Sequence, residues 1–414
     1  YPGLRIGNQS AWLNGVAPLK VEYLPGTGVV HVVRNWQGVT VEEHDFAPMG
    51  LTENAAFTVL KVTRTSGSGA ISAYQLFNYH LGAGSPSPDS NNEGMAWNAQ
   101  RDAFYEWGPS GVALGYGSIG ASSHHGCSPN NPYSSLLAQA DLADNAGTSQ
   151  NDAIAGLEAS LGDLAVNATA TVGWFSVLAP DAQAAAAIDR VRTWIGSRGP
   201  QKLLDDEVAD WTAWQKAAPN GSTALESRAW SQAQAVLRMG QVSATDSTDG
   251  QILASVAPGQ WNIAWVRDMS YATVALARSG HLAEAKRAIA FQLSAKTGAY
   301  QSYVGAPYQI SVVRYYGNGT EESDTNADGP NVEFDGFGLF LWELEEYVKA
   351  SGDTAFLDAA WPAVKSKVAD PLVALQEPTG LIAPDSSIWE VHWNGKQKHF
   401  AYTTITAAQG LLGG

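Results

Sequence analysis

The sequence has one cysteine, few basic residues and no long apolar run. Cys127 has no second cysteine with which to form an intramolecular disulfide. Lys and Arg total 24 against 40 Asp and Glu, a net charge of -16, so most of the surface would repel a phosphate backbone and no nucleic-acid partner is expected. No stretch approaches ~18 consecutive apolar residues, so we expect no membrane association through a spanning helix.

Signatures of several common enzyme classes are also missing. The sequence has no phosphate-binding glycine loop, no G-x-S-x-G and no H-E-x-x-H. His124, His125 and Cys127 make only a loose metal-like cluster, for which a free or buried thiol is the preferred interpretation, and we assign no metal ligands. Low charge density, and a first residue Tyr1 instead of Met, indicate a processed protein that is secreted or periplasmic.

Apolar periodicity changes near residue 180. Before it, segments such as 29–36 and 168–179 alternate with period 2 between turn-forming clusters, which predicts an all-β sandwich. After it, apolar residues recur at i, i+3 and i+4, which predicts helices. We therefore expect a multidomain β + α protein with a β domain over 1–180, a linker helix over 181–204 and a helical domain over 205–414. Gly240, Gly280 and Gly352 are expected to cap helices in the left-handed conformation.

Three long loops between the helices combine carboxylates with aromatic residues. The residues concerned are Trp261, Trp265, Arg267 and Asp268; Tyr315, Tyr316, Glu321, Glu322 and Asp335; and Trp389, Glu390 and Trp393. Aromatic faces stack on sugar rings, while carboxylates and guanidinium groups bind hydroxyls, so the mixture indicates carbohydrate. The alternative is that the tryptophans are core residues at helix ends and the acids are helix caps.

The first of these loops carries a motif found in a known family. Residues 250–281, GQILASVAPGQWNIAWVRDMSYATVALARSGH, resemble a segment of glycoside hydrolase family 15, which contains glucoamylases, glucodextranases and related trehalases. The resemblance implies that Arg267 and Asp268 bind hydroxyls of the terminal sugar, with Trp265 beside them. Asp268 would lie near a helix N-terminus, where the dipole favours the ionised form. An acid that only pairs with Arg267 at this terminus is the alternative.

The third loop is similar to the tryptophan-glutamate segment of the same family. In that segment the glutamate is the general acid, so the resemblance implies this role for Glu390. Trp389 and Trp393 would bind substrate and, by desolvation, help the carboxyl group to keep its proton. Fungal glucoamylases usually have a second acid at the next position. Val391 stands there in this sequence, so a substrate with a different sugar or linkage stays an alternative.

The middle loop supplies two further candidate contacts and a calcium-like pattern. By resemblance Asp335 would lie at the rim of the sugar site, although capping of the following helix would also explain it. Tyr316 is expected to contact substrate.

Asp324, Asn326 and Asp328 match the opening of a calcium loop, but Pro330 stands at the seventh position and Asp335 at the twelfth. These departures disfavour an EF-hand. They leave a looser structural Ca2+ site or simple turn chemistry, and no cofactor is expected to be required.

The resemblance implies a fold and a reaction. The fold is an N-terminal β-supersandwich followed by an (α/α)6 barrel, and about half of the twelve helices of such a barrel can be found in this sequence. We therefore expect residues 205–414 to form the first half of the barrel. A second polypeptide, produced by proteolytic processing of one precursor, would complete this heterodimer and supply the general base.

The expected reaction is exo-acting, inverting hydrolysis that releases glucose from the non-reducing ends of α-glucoside oligosaccharides. The alternatives are a catalytically silent carbohydrate-binding or assembly subunit, and a hydrolase of the same scaffold that acts on another sugar or linkage.

Overall fold

In the computed structural model the described residues are 1–81, 93–150, 153–256, 259, 261–388 and 396–413. They form two compact units, Tyr1–Trp214 and Gln215–Gly414. The domain boundaries expected at residues 180 and 204 stay a prediction. None of the helices in the described ranges combines the length and the apolar character needed to cross a membrane.

The first unit is built mainly from antiparallel strands. Its strands are β1 Pro2–Ile6, β2 Gln9–Trp12, β3 Lys20–Tyr23, β4 Val30–Trp36, β5 Val39–Phe46, β6 Asn54–Arg64, β7 Ile71–Phe77, β8 Glu93–Asn98, β9 Ala103–Trp107, β10 Val112–Ser118, β11 His124–Cys127, β12 Gly147–Gln150, β13 Ala155–Gly162 and β14 Thr169–Pro180. One sheet has the order β11-β13-β7-β1-β2, and the other has the order β12-β8-β9-β10-β14-β6-β5-β4-β3.

The core of this unit lies between the two sheets. Leu4 and Leu157 of the smaller sheet belong to the same buried cluster as Val41, Leu60 and Trp174 of the larger sheet. The alternation of apolar and polar residues along each strand turns one face of each sheet toward this cluster. The arrangement is a β sandwich, as the period-2 pattern predicts.

Helices complete the first unit. They are α1 Pro132–Leu137, α2 Ala184–Ile195 and α3 Pro200–Trp214. Helix α2 packs on β10 and β14, where a Cβ at Gly115 would collide with the side chain of Ile188. Arg192 of the same helix donates to the carbonyl groups of Arg101, Ser118 and Asp102 at 2.7–2.9 Å. A glycine and an arginine therefore fix this helix on the larger sheet.

The second unit is helical and carries several two-residue strands. The helices are α4 Ala224–Met239, α5 Val266–Ser279, α6 Leu282–Ser294, α7 Gln301–Val304, α8 Asp335–Ser351, α9 Thr354–Val364, α10 Asp370–Ala374 and α11 Ala401–Gly413. A π-helical turn, Lys365–Ala369, joins α9 to α10. The short strands are β15 Ala264–Trp265, β16 Arg314–Tyr315, β17 Glu321–Glu322, β18 Thr325–Asn326 and β19 Gly329–Pro330. Strands β15, β16 and β17 form one small sheet, and β18 and β19 form a hairpin.

Helices α5, α8 and α11 pack side by side in the same direction. Arg267 at the start of α5 bonds Asp335 at the start of α8, and Arg278 at the end of α5 bonds Glu346 near the end of α8. Helices α8 and α11 approach closely at Gly338, because a Cβ there would collide with the backbone of Thr406. A Cβ at Gly413, at the end of α11, would collide with the Glu345 side chain in the second half of α8, so the two helices run in the same direction. The N-termini of the three helices therefore lie at one end of the group.

Two of the three expected glycine caps are present. Gly280 and Gly352 follow α5 and α8 with φ of 89° and 69°, in the left-handed region. Gly240 follows α4 with φ of -75° and ψ of -13°, so the prediction of a left-handed cap is wrong there. Its N–H bonds the carbonyl of Val236 at 3.0 Å, which continues the helical pattern into the glycine.

Candidate functional site

The candidate site lies where the N-termini of α5, α8 and α11 meet. The partial positive charge of a helix N-terminus stabilises anionic groups, and three such termini converge here. Tyr271 of α5 and Tyr402 of α11 approach with their hydroxyl oxygens 3.3 Å apart. The resulting group of charged and aromatic side chains includes several of the residues that the sequence analysis predicts to form the site.

Arg267 is held between two buried carboxylates. Its Nε donates to Asp335 Oδ2 at 2.8 Å, and its Nη2 donates to Glu333 Oε2. Both carboxylates are 3% exposed. The Arg267 side chain as a whole is 17% exposed. The structure therefore brings Arg267 and Asp335 together, and it adds Glu333, which sequence analysis missed.

The same geometry rules out a capping role for Asp335. Helix α8 begins at Asp335, but the residue in the cap position is Phe334, whose side chain makes no capping hydrogen bond. The Asp335 carboxylate is instead bonded to Arg267.

The charges around Arg267 are unbalanced. One guanidinium group faces two carboxylates in a buried setting, so ionisation of both would leave an uncompensated negative charge. Burial raises the pKa of Glu333 to about 8, the attraction of Arg267 opposes this change, and the negative charge of Asp335 adds to it. Glu333 can therefore hold a proton near neutral pH.

Asp385 connects this group to α11. Its Oδ2 accepts from the hydroxyl of Thr403 at 2.7 Å and from the backbone N–H of Phe334 at 3.1 Å. Its Oδ1 accepts from the backbone N–H of Ser387 at 3.1 Å. Burial raises the pKa of Asp385, and its bonds to Thr403 and to the backbone oppose that change. This carboxylate positions the start of α8 against α11.

The loop that contains the predicted general acid is fixed at its base. The backbones of Asp385 and Lys398 bond each other in both directions, at 3.0 and 3.1 Å. Ser386 donates from its backbone N–H to the carbonyl of Val332 at 2.9 Å. Glu390, with Trp389 and Trp393, lies outside the described residues. Both described ends of this loop thus lie beside the segment that carries Glu333 and Asp335.

The aromatic residues of the first loop lie beside Arg314. Trp265 is buried, and the guanidinium carbon of Arg314 lies 4.8 Å from its ring centroid. Trp261 packs edge-on against Trp265, with ring centroids 5.6 Å apart, and is 60% exposed. Asp268 lies in the first turn of α5 and is exposed. The exposed residues Trp261 and Asp268 thus lie before and after Arg267 in the sequence.

Two tyrosines complete the described surroundings. Tyr316 is 48% exposed and lies directly after β16, the strand that pairs with Trp265. Tyr402 is half-buried, its pKa is raised by burial and by the Tyr271 hydroxyl, and its phenol lies within the electrostatic influence of Asp335. Tyr402 is not among the residues predicted from the sequence, although its position at the start of the last apolar helix is a usable signal.

Two other acids of the middle loop, Glu321 and Glu322, make their hydrogen bonds to residues of the same loop. Glu321 accepts from Tyr308 at 2.6 Å and from the backbone N–H groups of Gly298, Ala299 and Val312 at 2.9–3.1 Å. Glu322 bonds the guanidinium group of Arg314. These carboxylates organise the loop.

The calcium-like segment forms the β18–β19 hairpin. Asp324 accepts from Arg314 at 2.7 Å, and Asn326 accepts from the backbone N–H of Asp328 at 2.8 Å. Two of the three side chains thus have protein partners, an ion pair at Asp324 and a local turn bond at Asn326. A loose Ca2+ site here stays a prediction.

The cysteine motif has a structural role. Cys127 is a free, buried thiol whose pKa is raised to about 11 by burial, so it is not a reactive thiolate. His124 bonds Asp144 at 2.9 Å.

Comparison with known proteins identifies the class of fold. A bacterial glucoamylase complexed with acarbose matches over 100% of this chain and 60% of its own, with a TM-score of 0.61 and 12% identity. A family GH92 alpha-mannosidase from Bacteroides thetaiotaomicron matches over 92% of this chain and 56% of its own, with a TM-score of 0.35 and 9% identity, which is too low to carry an argument. No family model and no curated protein sequence matches the chain. The fold is therefore like that of a glycoside hydrolase, and this chain spans about 60% of the length of the glucoamylase.

Proposed function

We propose that this chain forms part of an exo-acting, inverting glycoside hydrolase that releases glucose from the non-reducing ends of α-glucosides. The observation that carries the proposal is the group at the N-termini of α5, α8 and α11, in which Arg267 is oriented by Glu333 and Asp335 beside the exposed Asp268. A fixed guanidinium group and an exposed carboxylate suit the paired hydroxyls of a terminal sugar. The glucoamylase-like fold supports this choice of chemistry.

In this proposal Arg267 and Asp268 bind the terminal sugar, and Trp265, Tyr316, Trp389 and Trp393 line the site. Asp335 acts through Arg267, because its carboxylate accepts a hydrogen bond from Nε of Arg267. Bidentate hydrogen bonds from these side chains to two adjacent hydroxyls fix the sugar ring. The scissile oxygen is then presented in one orientation.

Glu390 is the proposed general acid. A glycosidic oxygen leaves easily only when it is protonated, and inversion needs a second carboxylate ~6.5–9.5 Å away that activates water on the opposite face of the sugar. Glu390 stands three residues after Ser387 in the sequence. Ser387 bonds Asp385 next to Phe334, which is compatible with an acid acting near Arg267.

The general base and the remaining helices of an (α/α)6 barrel are proposed to come from a second polypeptide. The support is the resemblance to glycoside hydrolase family 15, in which the general base lies well beyond the tryptophan-glutamate segment. Secretion or export to the periplasm, and processing of one precursor, belong to the same proposal. Native mass spectrometry of the purified protein tests the partner, and a monodisperse single species of 43.8 kDa with full activity would overturn it.

The assembled protein should release glucose from maltose or isomalto-oligosaccharides as the β-anomer, which NMR detects within minutes of mixing. We expect Glu390→Gln to lower kcat by at least ~10²-fold, and Asp268→Asn to raise KM and lower kcat/KM. Glu346→Gln is the matched control, because Glu346 pairs with Arg278 at the opposite ends of α5 and α8.

Retained turnover in Glu390→Gln would remove Glu390 as the acid. Release of α-glucose would contradict inversion. Sugar binding without turnover in the assembled wild-type protein would favour the alternative of a carbohydrate-binding or assembly subunit. Turnover of another disaccharide with no release of glucose would favour a different sugar or linkage.

A further inference from the structure

Three strands at one end of the nine-stranded sheet place two histidines and two glutamates on a single face. His31 of β4 lies directly opposite His44 of β5 in the antiparallel register, and it lies opposite Glu22 of β3 on its other side. Glu42 precedes His44 by two residues, so its side chain points to the same face of the sheet. Backbone pairing therefore sets the relative positions of all four side chains.

The two imidazole rings are stacked, with centroids 4.6 Å apart and planes at 10°. Nε2 of His31 lies 3.3 Å from Oε2 of Glu42, and Nδ1 of His31 lies 3.6 Å from Oε1 of Glu22. One ligand atom each from His31, His44 and Glu42 can be chosen so that all three lie within 4.8 Å of one another. Within the described part of the chain, this is the one group of three His, Cys, Asp or Glu side chains whose ligand atoms lie within this distance of one another.

The hydrogen bonding of these histidines is incomplete. His31 is 8% exposed and His44 is 4% exposed, and both ring nitrogens of His31 and Nδ1 of His44 are buried without a hydrogen-bond partner. The 3.3 Å approach of Glu42 to His31 thus lacks the alignment of a hydrogen bond. A buried polar atom without a partner costs about 1–3 kcal/mol. The carboxylates of Glu42 and Glu22 relieve this cost only in part at His31, and Nδ1 of His44 stays without a partner.

The structure assigns this cluster as a site for one divalent transition-metal ion of the Zn2+ type, bound by His31, His44 and Glu42. Two imidazoles and one carboxylate form a donor set that suits Zn2+, whereas Ca2+ and Mg2+ prefer oxygen ligands alone. Tetrahedral ligand atoms ~2.0–2.1 Å from zinc are roughly 3.4 Å apart, so side-chain adjustments of about 1–1.5 Å close the site.

Glu22 has a separate role in this assignment. A ligating histidine usually donates its other ring N–H to a carboxylate, which fixes the tautomer and orients the ring. Glu22 lies beside Nδ1 of His31, while Glu42 lies beside Nε2, so the two glutamates divide these roles. Glu42 is partly exposed, so the site has an open side at which water can complete the coordination.

Substitution of Lys61 of β6 should change the metal affinity in the opposite direction to substitution of a ligand. Its Nζ lies 3.9 Å from Oε1 of Glu42, the proposed ligand. The ammonium group competes with the ion for the carboxylate and repels it. Removal of this charge should therefore tighten metal binding, whereas removal of a ligand should weaken it.

The experiment measures Zn2+ binding to the full chain by competition with a chromophoric chelator, together with the visible spectrum of bound Co2+. We expect one Zn2+ per chain in the wild type, at least tenfold weaker binding in His44→Gln and in Glu42→Gln, and tighter binding in Lys61→Gln. His124→Gln is the matched control, because His124 pairs with Asp144 in the same unit and should leave the affinity unchanged.

Circular dichroism of each variant establishes that the sandwich is folded, and Glu42→Gln alters the least buried ligand if His44→Gln does not fold. Absence of stoichiometric binding in the wild type would overturn the assignment. Equal affinity in the wild type and a folded ligand variant would also overturn it, as would an equal loss in His124→Gln. None of these outcomes bears on the proposed hydrolase activity, because the site lies in the β-sandwich unit.

Discussion

Glu343 of α8 is fully buried among neutral groups. Gln292 of α6 donates to its Oε1, and the side chains of Ser270 and Thr273 of α5 lie beside it. Burial raises the pKa of Glu343 from 4.5 to about 8, and these polar contacts only partly oppose the change. The acid is therefore protonated in the folded protein at neutral pH and ionised in the unfolded chain.

This difference gives stability a defined dependence on pH. Between pH 4.5 and pH 8 the folded state binds more protons at Glu343 than the unfolded state does, so the free energy of unfolding falls as the pH rises through this window. Glu343→Gln imitates the protonated form. We expect it to change stability little at pH 5 and to stabilise the protein at pH 9 by about 2 kcal/mol or more, measured by urea unfolding.

Glu346→Gln serves as the control, because Glu346 is paired with Arg278 and its pKa is lowered. It should show no gain at pH 9. A stability difference between Glu343→Gln and the wild type that is the same at both pH values would contradict a buried, protonated Glu343.

Some residues of the candidate site are easier to predict from the sequence than others. Arg267 and Asp335 stand in recognisable motifs, and the structure joins them at 2.8 Å. Glu333 and Asp385 are ordinary loop acids in the sequence, and only the packing of α8 against α11 shows that both are buried there. Glu333 and Arg267 are 66 positions apart, and Asp385 and Phe334 are 51 positions apart, so periodicity does not reveal these contacts.

The contact between α8 and α11 depends on glycine at the crossing point. A Cβ at Gly338 would collide with the backbone of Thr406, and a Cβ at Gly410 would collide with the backbone of Gly338. The obstacle is backbone in each case, so no side-chain rotation relieves it. We expect Gly338→Ala to lower the free energy of unfolding by about 1–3 kcal/mol, even though alanine favours the helix more than glycine does by roughly 0.5–1 kcal/mol.

Gly317→Ala is the matched control, because a Cβ at Gly317 meets nothing within 4 Å. Its free energy of unfolding should stay within about 0.5 kcal/mol of the wild type in the same chemical-denaturation experiment. A Gly338→Ala variant as stable as this control would show that the two helices can separate without loss, which would contradict the close crossing.

The kinds of element are easier to predict than their connections. Alternation predicts the strands that dominate before residue 180, and the helical period predicts the helices that dominate after it, but helix α1 and the two-residue strands β15 to β19 depart from this division. The pairing of β1 with β7, and of β11 with β13, joins segments distant in the chain, and nothing local in Pro2–Ile6 specifies its neighbour. Local rules also fail at Gly240, where the carbonyl of Val236 accepts a helical bond that makes a left-handed turn unnecessary.

Each unit has a core of its own. The buried cluster that contains Leu60 and Trp174 belongs to Tyr1–Trp214, whereas the cluster that contains Phe337 and Phe340 belongs to Gln215–Gly414. Apolar burial at about 25 cal/mol per Å2 is the main favourable term in both units. Charge is the property that acts on the chain as a whole, because the net value of -16 comes from 40 acidic and 24 basic residues.

At neutral pH we expect added salt to stabilise this chain. Self-repulsion among excess carboxylates disfavours the compact state, while exposed ion pairs each contribute only about 0–1 kcal/mol, so screening should remove more repulsion than attraction. Raising NaCl from 10 mM to 200 mM shortens the screening length from about 30 Å to about 7 Å and should raise the Tm measured by calorimetry. The same salt step near the pI of about 4.8 is the control, where the gain in Tm should nearly vanish. A Tm that falls with salt at neutral pH would mean that ion pairs such as Arg190–Glu53 outweigh the repulsion, contrary to the charge count.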